Sequence, residues 1–537
     1  DELLQERKAI TGLRFQGQVP GGPRDRCPTH RYHFDPQNLT LDSGENLVEV
    51  MGEKAGTLTA IALLKGTVDI KKRGDSAEIH PAAVFAFKRI SPGAMPESLL
   101  EFGKQLAQGT PQSARHDLLA KRSPRLKTLS LPLAGDQKDT AVELAFDLDN
   151  SILPIQGPPG SGKTYIGSHM IAALARSGKR IGVTAVSHKV ILNLLKGVHE
   201  VSQGGETVPV AHQMSSSSDD FPDIVDHLHC KEESLHALEN GCVVGGTAWL
   251  WSNEAMEDEL DYLFIDEAGQ MSLAMALAAG RSAKNIVLLG DPQQLEQPQQ
   301  GSHPEGAEVA ALLHLLDGAE TMPPDKGVFL RNTWRLHPKI CSFTSEQYYD
   351  GRLESQTGLE SQELLGDSLR AGNGLRFVPV EHVNNQSRSD EEVAAIADIV
   401  GELVDGTHQW SGRNGARSTI GLNDGLVVAP YNAQVSALKS ALPSNARVGT
   451  VDKFQGQEAP IVIYSMTSSS AADAPRGMDF LFSRNRMNVA TSRARCLVFL
   501  VGSPQLFQPD CATPHQMQLA NGFCRYLELS EETQSPC

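Results

Sequence analysis

The sequence predicts an α/β protein with two parallel sheets that follow a small β-rich N-terminal module. From about residue 130 onward, short runs that are apolar throughout alternate with helical stretches. Such runs are typical of strands in a parallel sheet that helices cover on both faces. Residues 10–95 instead carry short runs of alternating polarity, separated by glycine-rich turns, which indicates a β-rich module.

The length of 537 residues fits three or four domains, at roughly 100 to 200 residues per domain. We place the boundaries where the pattern of the sequence changes. The predicted parts are a β-rich accessory domain at 1–95, a helical linker at 96–129, a first parallel-sheet domain at 130–330 and a second at 331–537.

Composition limits the classes of partner. The chain has 48 Lys and Arg against 65 Asp and Glu, a net charge of −17, so bulk charge would not hold a polyanion. Nucleic acid would have to bind in a local basic groove. No apolar run approaches the roughly 18 residues of a membrane span, and the N-terminus lacks the pattern of a signal peptide. We therefore expect a cytoplasmic protein that does not contact membranes.

Two polar segments are predicted to be solvated or mobile. A basic cluster favours a solvated linker over a phosphate contact, and residues 200–240 are predicted to be a mobile insertion that interrupts the first sheet. The cluster consists of Arg115, Lys121, Arg122, Arg125 and Lys127.

One helix of the second parallel-sheet domain is predicted in detail. Ser389 followed by Glu392 is the pattern of a capping box, in which each side chain bonds to the other residue's backbone. An apolar stripe of Val393, Ile396, Val400 and Val404 follows and predicts packing on the second sheet.

The strongest signal is a glycine-rich loop with the spacing G-x4-G-K-T. It follows the apolar run SILPIQ and begins a helical stretch, which is the context that a phosphate-binding loop requires. Backbone amides and the helix N-terminus would surround the phosphates, Lys163 would meet the β and γ oxygens, and Thr164 would help to hold Mg²⁺. The loop consists of Gly157, Pro158, Pro159, Gly160, Ser161, Gly162, Lys163 and Thr164.

Three polar residues follow two later strands. Asp266 and Glu267 come directly after the run YLFI, and Gln294 comes shortly after the run ending at Leu289. Doubly wound sheets bind ligands at the carboxyl ends of their strands. We assign Asp266 to Mg²⁺, Glu267 to the attacking water and Gln294 to sensing the γ-phosphate.

Phosphoryl transfer also requires positive charge at the departing γ-phosphate. Arg335, in TWRLHP, and Arg493, in NVATSRAR, are the two candidates. Taken alone, an arginine in such a run is more often structural, because it commonly pairs with surface carboxylates.

The order of the motifs GPPGSGKT, IDEAGQ, GDPQQL, TWRLHP, VVAPYNAQ, VGTVDKFQGQE and RNRMNVATSRAR resembles the superfamily 1B helicases. The resemblance covers about residues 130–505 and implies two RecA-like domains in tandem, with an N-terminal β-barrel on a helical stalk. Phrases such as YYDGRL and DKFQGQEAP are similar to the helicase half of bacterial proteins that also carry a RecB-type nuclease. This chain has no Asp followed by a strand-borne E-x-K, the motif of that nuclease, so the resemblance implies a truncated or stand-alone helicase module. A RecB-type nuclease domain or partner is one candidate for what acts with it.

The resemblance assigns nucleotide contacts residue by residue. Gln137 resembles the glutamine that reads adenine, Trp334 the aromatic residue that stacks on the base, and Glu458 the carboxylate that approaches the ribose. Arg335 and Arg493 match the family's two arginine fingers. ATP and Mg²⁺ are the implied nucleotide and cofactor.

Single-stranded nucleic acid is the implied partner, with DNA favoured over RNA by the nuclease-linked relatives. The positions that match the family's strand path are Ser187, His188, Thr247 and Thr450. From the residues alone, an ordinary hydroxyl at a strand end explains each of these threonines and serines nearly as well.

The sequence therefore predicts an ATP-dependent helicase or translocase that moves 5′ to 3′ on single-stranded DNA. Three alternatives stay open. They are an RNA helicase of the same superfamily, a partner-regulated ATPase switch that unwinds nothing, and a clamp in which ATP sets only the affinity for nucleic acid.

Overall fold

The computed structural model describes residues 8–20, 27–35, 37, 39–50, 52–87, 91–109, 112–132, 135–215, 221–295, 306–368, 370–454 and 456–532. The chain divides into two compact units. The phosphate-loop unit comprises Ser91–Arg335 and Thr344–Gln356, and the second-sheet unit comprises Asp1–Ile90, Leu336–Phe343 and Thr357–Cys537.

The N-terminal module is a seven-stranded antiparallel sheet, which agrees with the predicted β-rich module. Its strands, in spatial order, are Ala9–Thr11, Ala83–Ala86, Asn46–Glu49, Lys54–Ala62, Thr67–Lys71, Thr29–His33 and Arg14–Val19. The two edge strands are consecutive along the chain and are separated by Gly12, at φ 66°, and Leu13. One bent segment of chain therefore forms both edges of this sheet.

The segment predicted to be a solvated linker belongs to the phosphate-loop unit and is partly buried within it. It forms the helices Met95–Ala107 and Ala114–Leu119. Arg115 is buried, and its Nη2 atom donates to the Ser98 carbonyl at 2.8 Å. Asp117 is also buried and accepts hydrogen bonds from Arg125 Nη1 at 2.8 Å and from Ser151 Oγ at 2.7 Å. The prediction of a solvated linker was wrong for Arg115, because nearby acids and the Ser98 carbonyl offset the burial of its charge, whereas Arg122 and Lys127 of the same cluster are exposed.

The phosphate-loop unit contains an eight-stranded sheet, the first sheet, in which every pairing is parallel. Its strands in spatial order are Asp226–Leu228, Val210–Gln213, Val243–Gly245, Ile181–Thr184, Leu260–Ile265, Ala283–Gly290, Ile152–Gln156 and Val328–Phe329. The strand Ile152–Gln156 is buried along its whole length. Successive side chains of a strand point to opposite faces, so this strand is covered on both.

The helices of this unit follow the strands in alternation, as predicted. Besides Met95–Ala107 and Ala114–Leu119, they include Gln137–Asp147, Lys163–Arg176, His188–Ser202, Lys231–Glu239, Ala248–Trp251, Leu273–Ala279 and Ala311–Leu316. The segment 200–240 does not interrupt the sheet, because it supplies the two parallel strands at one edge. That prediction was wrong; residues 216–220 of the polar run lie outside the described residues.

The second-sheet unit contains a six-stranded sheet, the second sheet, which is also parallel throughout. Its strands in spatial order are Val448–Gly449, Gly425–Val428, Ala459–Ser465, Ala494–Gly502, Gly374–Pro379 and Glu531–Glu532. The remaining α-helices of the described residues are Pro338–Tyr348, Asp390–Leu403, Asn432–Ala441, Gly477–Leu481, Arg484–Thr491 and Pro514–Leu529.

The helix Asp390–Leu403 has the predicted apolar stripe but only half of the predicted capping box. Val393, Ile396 and Val400 lie in the core of the second sheet, and Val404, which directly follows the helix, packs partly buried against it. Ser389 Oγ accepts a hydrogen bond from the Glu392 amide at 3.2 Å, as a cap should. The Glu392 carboxylate, however, is fully buried and accepts instead from the Thr467 amide, with the His382 ring at 3.0 Å. This carboxylate therefore stabilises the sheet edge and not the helix start.

No helix in the described part of the chain is long and apolar enough to cross a membrane.

Candidate nucleotide site and strand path

The candidate site lies along one edge of the first sheet. Because all strands of this sheet are parallel, the segments that leave their carboxyl ends meet at the same edge. The phosphate loop follows Ile152–Gln156, and Gln294 follows the adjacent strand Ala283–Gly290. Asp266 and Glu267 follow the next strand along, Leu260–Ile265. The sequence-predicted phosphate, metal and water residues are therefore brought together on three neighbouring strands.

The phosphate loop has the backbone that its glycines allow. Gly160 and Gly162 have φ values of 72° and 83°, a region that other residues rarely adopt. At Gly157, an added Cβ would lie only 2.1 Å from Lys163 Cγ, so only glycine fits there. Lys163 Nζ donates to the Gly157 carbonyl at 2.6 Å, which holds the lysine across the loop.

Two hydroxyls of the loop differ in burial. Ser161 is only 3% exposed, and its Oγ atom is buried without a hydrogen-bond partner among the described residues. A buried hydroxyl without a partner costs free energy, which a phosphate oxygen accepting from it would offset. Thr164, on the first turn of the helix Lys163–Arg176, is exposed. The loop therefore presents both donors and an accessible oxygen ligand.

The segment carrying Trp334 and Arg335 is attached to the phosphate loop. Thr333 is fully buried, and its Oγ1 donates to the Pro159 carbonyl at 2.8 Å. The Trp334 amide donates to the Gly160 carbonyl, also at 2.8 Å. A Cβ on Gly160 would lie 2.5 Å from the Arg335 Cβ, so the two segments are in close contact.

This attachment sets where the predicted base-stacking residue lies. Trp334 is 52% exposed, so much of its ring is accessible beside the loop. Arg335 belongs to the same compact unit as the loop. Sequence reasoning gave no role to Thr333, since a threonine at the start of TWRLHP carries no pattern that distinguishes it.

Asp266 and Glu267 are adjacent acids in different surroundings. Asp266 is buried, and burial, followed by the nearby Glu267 charge, raises the pKa of Asp266 to about 7. Glu267 has a left-handed backbone with φ 53°, and its amide donates to Asp266 Oδ1 at 2.9 Å. A divalent cation beside Asp266 would favour its charged form, which fits the role of metal ligand.

Gln294 is held by a buried carboxylate. Its Nε2 donates to Asp291 Oδ2 at 2.8 Å, and the Tyr349 hydroxyl donates to the same oxygen at 2.7 Å. Asp291 and Gln294 are both buried. The arrangement fixes the side chain of Gln294, and sequence reasoning did not identify Asp291 or Tyr349 as its supports.

Gln137 begins the helix Gln137–Asp147, in which the Asp136 side chain accepts the Lys138 and Asp139 amides. The Gln137 Nε2 atom donates to the Phe329 carbonyl at 3.3 Å. Phe329 belongs to the strand beside Ile152–Gln156, so Gln137 lies next to the phosphate-loop strand.

The predicted strand-path residues of this unit lie at the same sheet edge. Ser187 caps the helix His188–Ser202 after the strand Ile181–Thr184, and Thr247 follows the neighbouring strand Val243–Gly245. His188 Nδ1 lies 2.8 Å from Nε2 of His212, which is fully buried. Burial lowers the pKa of both rings, that of His212 to about 4. His212, which the sequence did not single out, therefore holds the ring of His188.

The second-sheet unit carries the three remaining predicted residues. Thr450 directly follows the strand Val448–Gly449, and Arg493, which is buried, directly precedes Ala494–Gly502. Glu458 lies before the strand Ala459–Ser465 and accepts a hydrogen bond from Arg495 Nε at 3.0 Å. The ion pair with Arg495 is a second role for Glu458, beside the ribose contact that the resemblance implies.

The residues present fit a nucleoside triphosphate with Mg²⁺. The glycine cradle that a Cβ would fill, the buried Ser161 hydroxyl and the raised pKa of Asp266 each favour an anionic ligand accompanied by a cation. The fold and the site together define a P-loop protein that binds ATP.

Comparison with known families agrees with this class. A family model described as "AAA domain" matches residues 132–311, and a second model with the same description matches residues 311–505. The two parallel sheets of the structure fit tandem RecA-like domains.

Several curated proteins are similar to this chain. The "DNA replication ATP-dependent helicase/nuclease JHS1" of Arabidopsis thaliana is 24% identical over 394 residues, which cover 69% of this chain and 28% of that protein. The "DNA replication ATP-dependent helicase/nuclease DNA2" of Xenopus laevis is 26% identical over 395 residues, 66% of this chain and 36% of that protein. "Helicase sen1" of Schizosaccharomyces pombe is 27% identical over 265 residues, 46% of this chain and 15% of that protein.

These matches support a superfamily 1 helicase. The chain spans 28% and 36% of the length of the first two relatives, about a third in each case. Among solved structures, the arterivirus nonstructural protein 10 helicase aligns with 91% of this chain and 78% of its own, at 14% identity and a TM-score of 0.40.

Proposed function

We propose that this chain is an ATP-dependent helicase of superfamily 1B that moves 5′ to 3′ along single-stranded nucleic acid. The observation that carries the proposal is the shared sheet edge. The phosphate loop and its acids leave three strands of the first sheet, and the predicted strand-path residues Ser187 and Thr247 leave the next two. An ATP site and a polymer path on adjacent strands of one sheet are what a translocating motor requires.

The substrate preference and the wider assembly are part of the proposal. Two relatives are named as DNA replication helicase/nucleases, which favours DNA over RNA and a RecB-type nuclease domain or partner. The predicted domain boundaries and the cytoplasmic location stay predictions. We propose that the N-terminal module is a small barrel, because one bent segment supplies both edges of its sheet.

The roles of the residues in hydrolysis follow from their positions. Lys163, the loop amides and the Ser161 hydroxyl would bind the phosphates of ATP. Glu267 would orient the attacking water and accept its proton, and Gln294, fixed by Asp291, would contact the γ-phosphate. Thr164 and Asp266 would hold Mg²⁺, which neutralises phosphate charge when bound.

Other residues would contact the adenine base, the ribose and the departing γ-phosphate. Gln137 and Trp334 would recognise and stack on adenine, with Glu458 at the ribose. Arg335 and Arg493 would neutralise the charge that develops on the γ-phosphate. Because Arg493 belongs to the second-sheet unit, its approach would couple hydrolysis to movement between the units. Thr450 would contribute to the strand path from that unit.

The experiment is a strand-displacement assay on a duplex with a 5′ single-stranded overhang, with ATP and Mg²⁺. We expect wild-type protein to separate the strands and Lys163→Ala to separate none, since the lysine is required for turnover. A duplex with a 3′ overhang tests the direction, and the same substrates in RNA test the choice of polymer.

Two outcomes would favour the alternatives. ATP hydrolysis without strand separation on any substrate would support the partner-regulated switch, an alternative that the net charge of −17 keeps open. If the Glu267→Gln protein still holds the strand as the wild type does, and ATP changes only its affinity for the strand, the result would support the clamp.

A further inference from the structure

The N-terminal module contains a cluster of aromatic, histidine and lysine side chains that the proposed nucleotide site and strand path do not use. It is formed by Phe15 and by His30 and Tyr32 of the neighbouring strand, with Lys72 and His80 beside them. We call it the Lys72 cluster. It comes from four separate segments of the chain, so no local motif marks it.

The outer part of the Lys72 cluster is a group of rings. The Phe15 ring centroid lies 4.1 Å from that of His80 and 5.1 Å from that of His30. His80 Nδ1 lies 3.0 Å from the Tyr32 hydroxyl oxygen. Phe15 is 46% exposed and His80 is exposed as well, so the rings present an aromatic surface to solvent.

The inner part contains a lysine in an unusual position. Lys72 has no exposed surface, and its Nζ donates to the Ile79 carbonyl at 2.9 Å, which accounts for one of its three N–H bonds. The Nζ atom also lies 5.4 Å from the centroid of the Tyr32 ring. Lysines are almost never fully buried unless they are paired. Within the described residues, no carboxylate pairs with Lys72.

A second buried polar group lies beside it. His30 is buried, and its Nδ1 atom has no hydrogen-bond partner within the part of the chain that the structure describes. Burial and then the charges of His80 and Lys72 lower the pKa of His30. Burial also lowers the pKa of Lys72 to about 8, so the lysine still carries its charge at neutral pH. An anion placed here would offset a cost that the described side chains leave uncompensated.

We propose that the Lys72 cluster is a phosphate site for single-stranded nucleic acid, where Lys72 and His30 meet one backbone phosphate and Phe15 stacks on the adjoining base. This inference rests on the proposed function and adds a contact in the N-terminal module.

The surroundings favour a polynucleotide over another anion. Every nucleobase offers a flat face that stacks on an aromatic ring, and a phosphate follows each base. The exposed rings and the buried cation of the Lys72 cluster match this repeat. Because the whole chain is acidic, with a net charge of −17, a polyanion would need such a local site.

The test measures the affinity for a thymidine oligonucleotide by fluorescence anisotropy over a series of salt concentrations, without ATP. Lys72→Met removes the charge and keeps the apolar stem, and Lys54→Met removes an exposed lysine of the same module as a matched control. The association constant K falls as the salt concentration rises, and each phosphate contact adds to this dependence. Losing one contact in Lys72→Met should make the slope of log K against log salt less steep by about 0.7. That loss corresponds to about fivefold weaker binding near 0.1 M salt.

Phe15→Leu tests the stacking contact and covers the case in which Lys72→Met fails to fold. Phe87→Leu, at another exposed phenylalanine of the module, is its control. We expect Phe15→Leu to weaken binding at least about fivefold while leaving the salt slope unchanged, since stacking releases no counterions. Basal ATP hydrolysis of both variants should match the controls, because the cluster lies outside the nucleotide machinery, and Phe15→Leu should melt like Phe87→Leu because both side chains are exposed.

The outcomes separate this inference from the proposed function. Suppose that the wild-type protein binds the strand and that Lys72→Met and Phe15→Leu bind it with the same affinity as their controls. That result would overturn the inference and leave the proposed function standing. Absence of strand binding by the wild-type protein would overturn the proposed function and the inference with it. A melting temperature that inorganic phosphate raises in Lys54→Met but not in Lys72→Met, with equal strand affinity, would identify a free phosphate site and overturn the polynucleotide assignment.

Discussion

Replacing Thr333 by valine removes one hydroxyl from the contact between the phosphate loop and the segment carrying Trp334 and Arg335. The side chain is fully buried, and Oγ1 donates to the Pro159 carbonyl at 2.8 Å and accepts from the Arg335 amide at 3.3 Å. Valine has nearly the same shape, so the change leaves no cavity. It removes the two hydrogen bonds.

The magnitude follows from these two contacts. A buried polar group left without its partner costs about 1 to 3 kcal/mol, and the longer bond to the Arg335 amide contributes the smaller part. We therefore expect the free energy of unfolding to fall by about 1 to 3 kcal/mol. Because Trp334 directly follows Thr333, about 1 kcal/mol of reordering should also appear as roughly fivefold weaker ATP binding.

The assay combines urea unfolding with calorimetric titration of a non-hydrolysable ATP analogue. Thr333→Ser keeps the hydroxyl and is the control, which we expect to bind the analogue like the wild type. The argument would be refuted by a Thr333→Val protein that is less stable but binds the analogue with wild-type affinity. That result would mean that Thr333 contributes to folding and does not position the nucleotide-binding segment.

Three further changes test separate parts of the site. Glu267→Gln should keep ATP binding and lower the turnover rate by about 10² to 10⁴, because the amide cannot accept the proton of water; a rate near wild type in a single-turnover assay would contradict the assignment. Arg493→Ala should lower the rate by roughly 10³ or more with the affinity retained, whereas equal losses of both would make Arg493 a binding residue. The pKa of the His212 ring is about 4 in the folded protein, below the usual 6.5, so as the pH falls this ring takes up a proton in the unfolded chain before it does so in the folded protein. The contribution of neutral His212 to stability is therefore present above pH 6.5 and is lost as the pH falls toward 4. Urea midpoints at pH 7.5 and 5 should differ more for wild type than for His212→Gln, and equal differences would contradict this.

The parts of the site that lie in one stretch of chain could be predicted from the sequence. The phosphate loop has its glycines, lysine and threonine at fixed spacing between a strand and a helix, and the structure has that strand and helix. Asp266 and Glu267 could be predicted in the same way, because a buried strand ends directly before them. The parallel sheets followed from the apolar runs, since strands buried on both faces need no alternation.

The supports of these residues could not be predicted, because they come from distant segments. Tyr349 bonds to Asp291 across 58 positions, and His212 lies beside His188 only because their strands are close in the sheet. Neither pair has a spacing that distinguishes it from chance. The polar segment 200–240 was misjudged because its two strands are short and occupy the edge of the sheet. Glu392 fits a capping pattern locally, but the buried Thr467 amide and His382 ring compete for its carboxylate.

The central claim is that ATP hydrolysis is coupled to a nucleic-acid strand. The most direct measurement is steady-state ATP hydrolysis without polymer, with single-stranded DNA and with single-stranded RNA at one ionic strength, since binding to phosphates depends strongly on salt. We expect strong stimulation that is greater with DNA than with RNA and absent in Lys163→Ala. A rate that neither polymer changes would contradict the coupling and leave an ATPase that a different partner regulates.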